Sequence, residues 1–448
     1  MKKHWLILTL IAVLTMALCV SLASCDQGSG TENGGDTENG GGTENGGGTE
    51  NGGGTENGGG TENGGGTENG GEADLTTHDL TYVLNESGTA YLISGIKEGV
   101  TSAVIPATYN GVAITGVKAG ALAANTLTEF KAAETANTNF KIKSGILYSK
   151  DGKTLIAYPG GKTATEIKLD KDVTTVGEYA FAGNAVITSV DLNKTTSIGT
   201  SAFDGCTLLS EVKATTALIS KCGENAFCGT AFFTNEANWQ NGMLCLQTQT
   251  FSNTKRYVVI AANASVPTAI EFDKTICTIA DGAFRGNTAV VSIKVTDQLY
   301  NIGAYAFESC TALESFAYTT PDPKDLYTKD IGEGAFMNCS SLKSFTVSQK
   351  VTSLSEHTFE NCTSMTYVII GVGTFGAPDS AFRNTGIVEV YYRVEASGVA
   401  QIDAINGASS KLSSIPVEKR YLFYTSGASS PYYKFWSFVG NQPVVMSK

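Results

Sequence analysis

The chain has 448 residues and a formal net charge of −12, with 17% charged residues, 51 Gly and 20 Phe. Eleven of its acidic residues fall between Asp26 and Asp74, where there is no Lys or Arg; with the two leader lysines also set aside, Leu75 to Lys448 carries only −3. That balance excludes the clustered basic footprint of a nucleic-acid binder, and the stretch beyond Leu75 is too long for one ordinary core.

Lys2, Lys3 and His4 open the chain, and Trp5 to Val20 is mostly apolar. Residues 1–24 read as a secretory signal, with an uncleaved membrane anchor as the alternative at this length. The closing Leu22-Ala23-Ser24-Cys25 resembles the bacterial lipoprotein lipobox, in which the Cys becomes the new N-terminus and carries acyl chains. Cys25 is therefore the candidate lipidation site, and stable anchoring takes more than one acyl chain. Residues 25–74 then hold seven copies of Thr-Glu-Asn-Gly-Gly. Without core-forming side chains this stretch predicts a disordered tether, spanning roughly 35–42 Å on average.

Residues 75–120 read as an N-terminal cap. Leu80–Leu84 and Thr89–Ile93 alternate as a hairpin, and Val104-Ile105-Pro106 and Ile114–Val117 lead into a repeat. From 121 to 392 an Ala-Phe dipeptide recurs at Phe181, Phe203, Phe227, Phe284, Phe307, Phe336 and Phe382, with variants at Leu122 and Phe359. Repetition of this kind signals a solenoid. Five residues before the Phe stands Val176, Ile198, Ile279, Ile302, Ile331 or Leu354, with Cys222 and Ala377 as departures. Three after it stands Cys206, Cys310, Cys339 or Cys362, exchanged elsewhere for Asn184, Asn287, Thr230 and Thr385. That exchange removes any need for thiol chemistry, so packed free thiols are expected. Nine and eleven residues after come pairs such as Val190/Leu192 and Ile293/Val295, whose period of two indicates a short strand. One strand per turn, stacked, predicts a parallel β ladder, with a short helical or irregular arm opposite.

Two long spacings, Leu122 to Phe181 and Phe227 to Phe284, predict β-hairpins inserted near 140–160 and 240–262. Asp151-Gly152 between apolar runs marks the first turn. Beyond Tyr392 the pattern stops. Residues 393–448 carry Tyr421, Phe423, Tyr424, Tyr432, Tyr433, Phe435, Trp436 and Phe438, which suit a β-rich aromatic cap or a small binding module.

The Ile-Gly-x-x-Ala-Phe-x-x-Cys-x-x-Leu turn and the Gly145-Ile146-Leu147-Tyr148 insertion resemble the BspA-like leucine-rich repeat family of bacterial surface proteins. The resemblance covers about Leu80 to Tyr392. It implies a right-handed leucine-rich-repeat solenoid displayed on a bacterial surface, and some family members are adhesins for host matrix proteins or other cells. It carries over no functional residues.

Catalytic and cofactor chemistry is not indicated. His78 and His357 lack the partners of a triad or a metal site. Gly161-Lys162-Thr163 has Ile156 where a phosphate loop needs Gly. Gly371-Val372-Gly373-Thr374-Phe375-Gly376 is followed by the next repeat turn where a dinucleotide site needs a helix, and Asp151-Gly152 lacks further calcium ligands. No enzyme, cofactor or metal is expected. The outward ladder position remains as the candidate binding face: Lys131, Asp191, Lys213, Lys294, Thr346, Tyr367, Ile369 and Tyr391. Its aromatic end is either a partner patch or the seat of the C-terminal cap. The expected function is an exported, outer-membrane, surface-exposed lipoprotein. It would be a monomer binding a host matrix or cell-surface protein, or a glycan. A structural or envelope-assembly protein docking through residues 393–448 is the alternative.

Overall fold

The computed structural model describes residues 79–123, 126–133, 137–214, 218–251, 253–371, 376–393, 410–423, 434–439 and 442–446. The leader, Cys25, the tether and His78 lie outside the described residues, as do parts of the Gly371–Gly376 segment and of the C-terminal region.

Each repeat turn is built from three arms. The alternating pairs form the first ladder, as the period of two predicts. Glu166–Lys168, Ser189–Asp191 and Glu211–Lys213 pair in parallel and in register. Ala269–Glu271, Ser292–Val295 and Ser315–Tyr318 do the same, as do Ser344–Val347, Tyr367–Gly371 and Glu389–Arg393. At the N-terminal side Ser102–Ile105 pairs with Glu129–Ala132.

The opposite arm divides in two. Its first part is a second parallel ladder of very short strands. Thr154–Ala157, Thr175–Val176, Ser197–Ile198 and Lys221–Cys222 pair in order. Thr254–Ala262, Ile276–Ile279, Asn301–Ile302 and Asp330–Ile331 form the continuation. Val176, Ile198, Ile279, Ile302 and Ile331, five residues before a Phe, are thus strand residues, whereas Leu354 follows an isolated bridge at Ser353. The third arm, carrying Ala-Phe, is irregular turn, yet its backbone also bonds from turn to turn. Phe203 N–H donates to Ala226 O at 2.9 Å and Phe336 N–H to Thr358 O at 2.8 Å.

The Phe rings form a column inside the coil. Tyr158, Phe181, Phe203 and Phe227 stack at centroid distances of 4.9, 4.8 and 5.2 Å. Phe284, Phe307, Phe336, Phe359 and Phe382 stack at 5.0, 5.1, 5.5 and 5.6 Å. Between the two stacks Ala262 occupies the Phe position: its N–H donates to Ala283 O as Phe181 N–H does to Ala202 O. Glycine at the second-ladder exit is fixed by crowding, because a Cβ on Gly332 would lie 2.3 Å from Ala304 N.

The Cys/Asn/Thr column follows a rule. Cys206, Cys310, Cys339 and Cys362 are buried free thiols, and each Sγ donates to the previous turn's Phe carbonyl at 3.0–3.1 Å. Asn184 and Asn287 stand where the previous turn ends an insertion. They reach Gly160 O and Asn263 O while each Oδ1 accepts two N–H groups of its own turn. Thr230 and Thr385 bond within their own turn, to Phe227 O and Phe382 O. A weak donor suffices where the carbonyl is close, and the longer amide bridges the displaced backbone. Cys228, outside this column, is buried.

Both insertions are three-stranded meanders. The first is Phe140–Lys143, Ile146–Ser149 and Thr154–Ala157. The second is Trp239–Gln240, Met243–Phe251 and Thr254–Ala262. The opening turns Ser144-Gly145 and Asn241-Gly242 have positive φ at both residues, as a two-residue hairpin turn requires. At the N-terminus Leu80–Leu84 pairs antiparallel with Tyr91–Ile96, and Tyr82 stacks on Tyr109 at 4.4 Å.

The first ladder does not stop at Tyr392. Arg420–Phe423 and Lys434–Val439 extend it in parallel, and Gln442–Val445 closes it antiparallel.

Candidate binding face

On the first ladder, alternate side chains enter the core and the rest point outward. Val190, Ile293, Phe345, Val368 and Val390 are inward and buried. The register then sets the outward row: Lys168, Asp191 and Lys213 are adjacent, then Glu271, Lys294 and Ala317, then Thr346, Ile369 and Tyr391. Lys168 and Glu271 belong to the row although the sequence reading passed over them. They sit in the strands that follow each insertion, where repeat spacing gives no register. Lys131 occupies the outward position of the separate Ser102–Ile105 pairing.

The N-terminal part of this row is exposed and paired in charge. Lys168 lies 3.1 Å from Asp191, Lys213 3.0 Å from Glu211, Lys294 2.7 Å from Glu271 and Lys131 3.0 Å from Glu129. The hydrogen bond from Lys213 holds the Glu211 carboxyl below its ordinary range. Ser315, Ala317, Ser344 and Thr346 follow, with Tyr367, Ile369 and Gln442 closing a cleft of about 110 Å³ over them.

The aromatic end of the row is not open. Ile369 is 3% and Tyr391 5% exposed, in a cluster with Tyr421 and Trp436. This corrects the reading of Ile369 and Tyr391 as accessible binding residues. The ladder continues past Tyr392, so its added strands bring Tyr421 and Trp436 onto the same outward face. Tyr391 packs 4.8 Å from Tyr421 and 5.4 Å from Trp436. Tyr367 is half-buried at the rim, its hydroxyl donating to Gln442 Oε1 at 2.8 Å. Tyr392 points the other way, into the main core. A cap is what these aromatics form, and docking through Tyr421 or Trp436 loses its surface.

His357 sits in a repeat turn beside Glu360 and Arg383, with Arg383 Nη2 3.2 Å from its Nδ1. Arg383 holds the Glu360 carboxyl below its ordinary range. Among the described residues no group of three or more His, Cys, Asp or Glu could hold a metal ion. No helix among them is long and apolar enough to cross a membrane.

Residues 157–258 and 262–389 match the BspA type leucine rich repeat region, in six copies. No curated protein matches the chain. Among solved structures, a leucine rich cell surface protein from Faecalibacterium prausnitzii is 16% identical over 74% of this chain and 96% of that one, with a TM-score of 0.31. The pneumococcal vaccine antigen PcpA is 15% identical over 75% and 96%, with a TM-score of 0.28. A leucine-rich repeat protein from Bacteroides ovatus is 18% identical over 74% and 98%, with a TM-score of 0.23.

Proposed function

Since this chain belongs to the BspA type leucine rich repeat family, we propose that it is a binding protein of the bacterial cell surface that meets a macromolecular partner on its first ladder. The partner is a host matrix or cell-surface protein, or a glycan. The observation that carries this reading is a contrast between columns. The inward and glycine positions repeat one chemistry from turn to turn, whereas the outward row changes from lysine to aspartate to alanine to threonine and stays accessible from Lys168 to Ala317. Positions without a structural duty are free to encode a partner. Anchoring through Cys25, with the Thr-Glu-Asn-Gly-Gly tether as spacer, gives the row reach away from a membrane.

The test is binding of the mature chain to immobilised matrix proteins and to host cells, with Lys213→Glu and Lys294→Glu combined. Reversing charges at a contact face should cut binding by about tenfold or more. Unchanged binding, or loss only on removal of residues 393–448, overturns the assignment to the ladder. Protease shaving of intact cells tests surface display, and survival of the domain until permeabilisation counts against it.

A further inference from the structure

A second cleft, of about 350 Å³, lies between the first inserted meander and the turn after Glu166–Lys168. Its lining includes Lys141, Lys143, Tyr148, Lys153, Lys171 and Thr174, and none of it comes from the outward row of the first ladder. At its back Tyr148 is only 7% exposed. Its hydroxyl makes no hydrogen bond among the described residues and is not one of their buried unpartnered atoms, so the oxygen faces the cleft. Burial, with Asp170 nearby, raises its pKa, so it stands as a neutral O–H donor.

The rim is charged unevenly. Asp170 is taken by the Lys143 ammonium. Asp151 accepts from the Ser149 hydroxyl at 2.7 Å and from Lys153 N–H at 3.0 Å. With Asp172, the cleft is lined by four lysines and three aspartates, a net charge of +1, and Lys141 and Lys171 form no ion pair within 4 Å among the described residues. Lys141 is held over the turn, its Nζ 3.3 Å from where a Cβ on Gly152 would lie. The volume falls at the lower end of the ~300–1,000 Å³ typical of small-ligand sites.

We propose that this cleft binds one acidic sugar unit of a glycan. The anionic group would meet the lysine rim, and the ring would lie toward Tyr148, whose free O–H donates to a sugar oxygen. Charge-assisted bonds from ammonium to carboxylate are the strong contacts of such a site. The site is independent of the ladder face.

Isothermal titration of the mature chain with glucuronate, glucose and inorganic sulfate tests it. Glucuronate should bind at least about tenfold tighter than either control, since only it engages both rim and back. Lys141→Ala with Lys171→Ala should weaken glucuronate about tenfold, and Tyr148→Phe about fivefold, the effect of one lost hydrogen bond. No heat with glucuronate at millimolar concentration overturns the proposal. Equal affinity for sulfate, or for glucose, overturns the acidic-sugar assignment. Unchanged glucuronate binding in variants with native circular dichroism overturns the location. If a variant loses its native spectrum, the three-ligand comparison on the unsubstituted chain decides.

Discussion

Arg393 Nε lies 3.0 Å from Asp322 Oδ1 and 3.1 Å from Oδ2, and its guanidinium sits 3.9 Å over the Phe423 ring. The pair is nearly closed off from water, with side-chain exposures of 7% and 17%. It ties the loop after Ser315–Tyr318 to the last repeat strand and to the cap strand beyond it. Breaking a buried pair leaves the other charge uncompensated, at a cost of about 3–5 kcal/mol. Asp322→Ala should therefore destabilise the C-terminal end by about 3 kcal/mol or more. Replacing both residues with apolar ones should cost less than Asp322→Ala alone. Urea denaturation followed by Trp436 fluorescence measures both.

The ring column predicts a graded response. Phe336 touches Phe307, Phe359, Phe316 and Phe345 at 4.9–5.5 Å. Phe336→Ala should cost about 3–5 kcal/mol, because turns on both sides hold the cavity open. Phe336→Leu should cost clearly less. Thermal melting of the two variants checks the order.

The column thiols should be inert and should give the fold an alkaline limit. Burial pushes Cys206, Cys310 and Cys362 up to about 12 from an ordinary value of 9.0. A raised acid pKa means that the unfolded chain loses its proton first. Stability from these groups is complete below about pH 9 and is lost as pH rises from 9 toward 12. Urea midpoints should fall between pH 9 and 10, and a Cys206→Ala, Cys310→Ala, Cys362→Ala triple variant should show a shallower fall. Ellman's reagent at pH 8 should label these thiols only after urea is added.

Gly332→Ala tests crowding between turns. The added methyl would meet backbone atoms of the preceding turn at 2.3–2.7 Å, and overpacking of this kind costs about 1–3 kcal/mol or more. Gly286→Ala, at an open position with φ +68°, should be milder because only backbone strain opposes it. A larger loss for Gly286→Ala than for Gly332→Ala would refute the crowding argument.

What was legible in the sequence was what leaves a regular spacing or a clear alternation, including the N-terminal hairpin at Leu80–Leu84 and Tyr91–Ile96. The Phe column and the first ladder announce themselves through spacing. The second ladder does not, because two residues such as Ser197–Ile198 are too short to show a period. The opening strands of the insertions, Phe140–Lys143 and Trp239–Gln240, escaped notice although Ser144-Gly145 and Asn241-Gly242 mark their turns. At the candidate face, Lys168 and Glu271 follow insertions that reset the count. The burial of Ile369 and Tyr391 depends on Tyr421 and Trp436, at least 30 positions away from either in sequence.

The missing ring at Ala262 sets where the coil parts when it is pulled from its ends. Turns strip one at a time from either terminus, and each loosens the next through the ring it shares with its neighbour. At Ala262 that shared ring is absent, and the ties across the gap include Thr278 Oγ1 to Ile219 O and Arg285 to Glu224. Unwinding from the C-terminus should therefore pause after Phe284 has gone, where Leu244, Leu246 and Val258 fill the core in place of a ring. A tug on the cap sacrifices the distal block and leaves the Tyr158–Phe227 block wound.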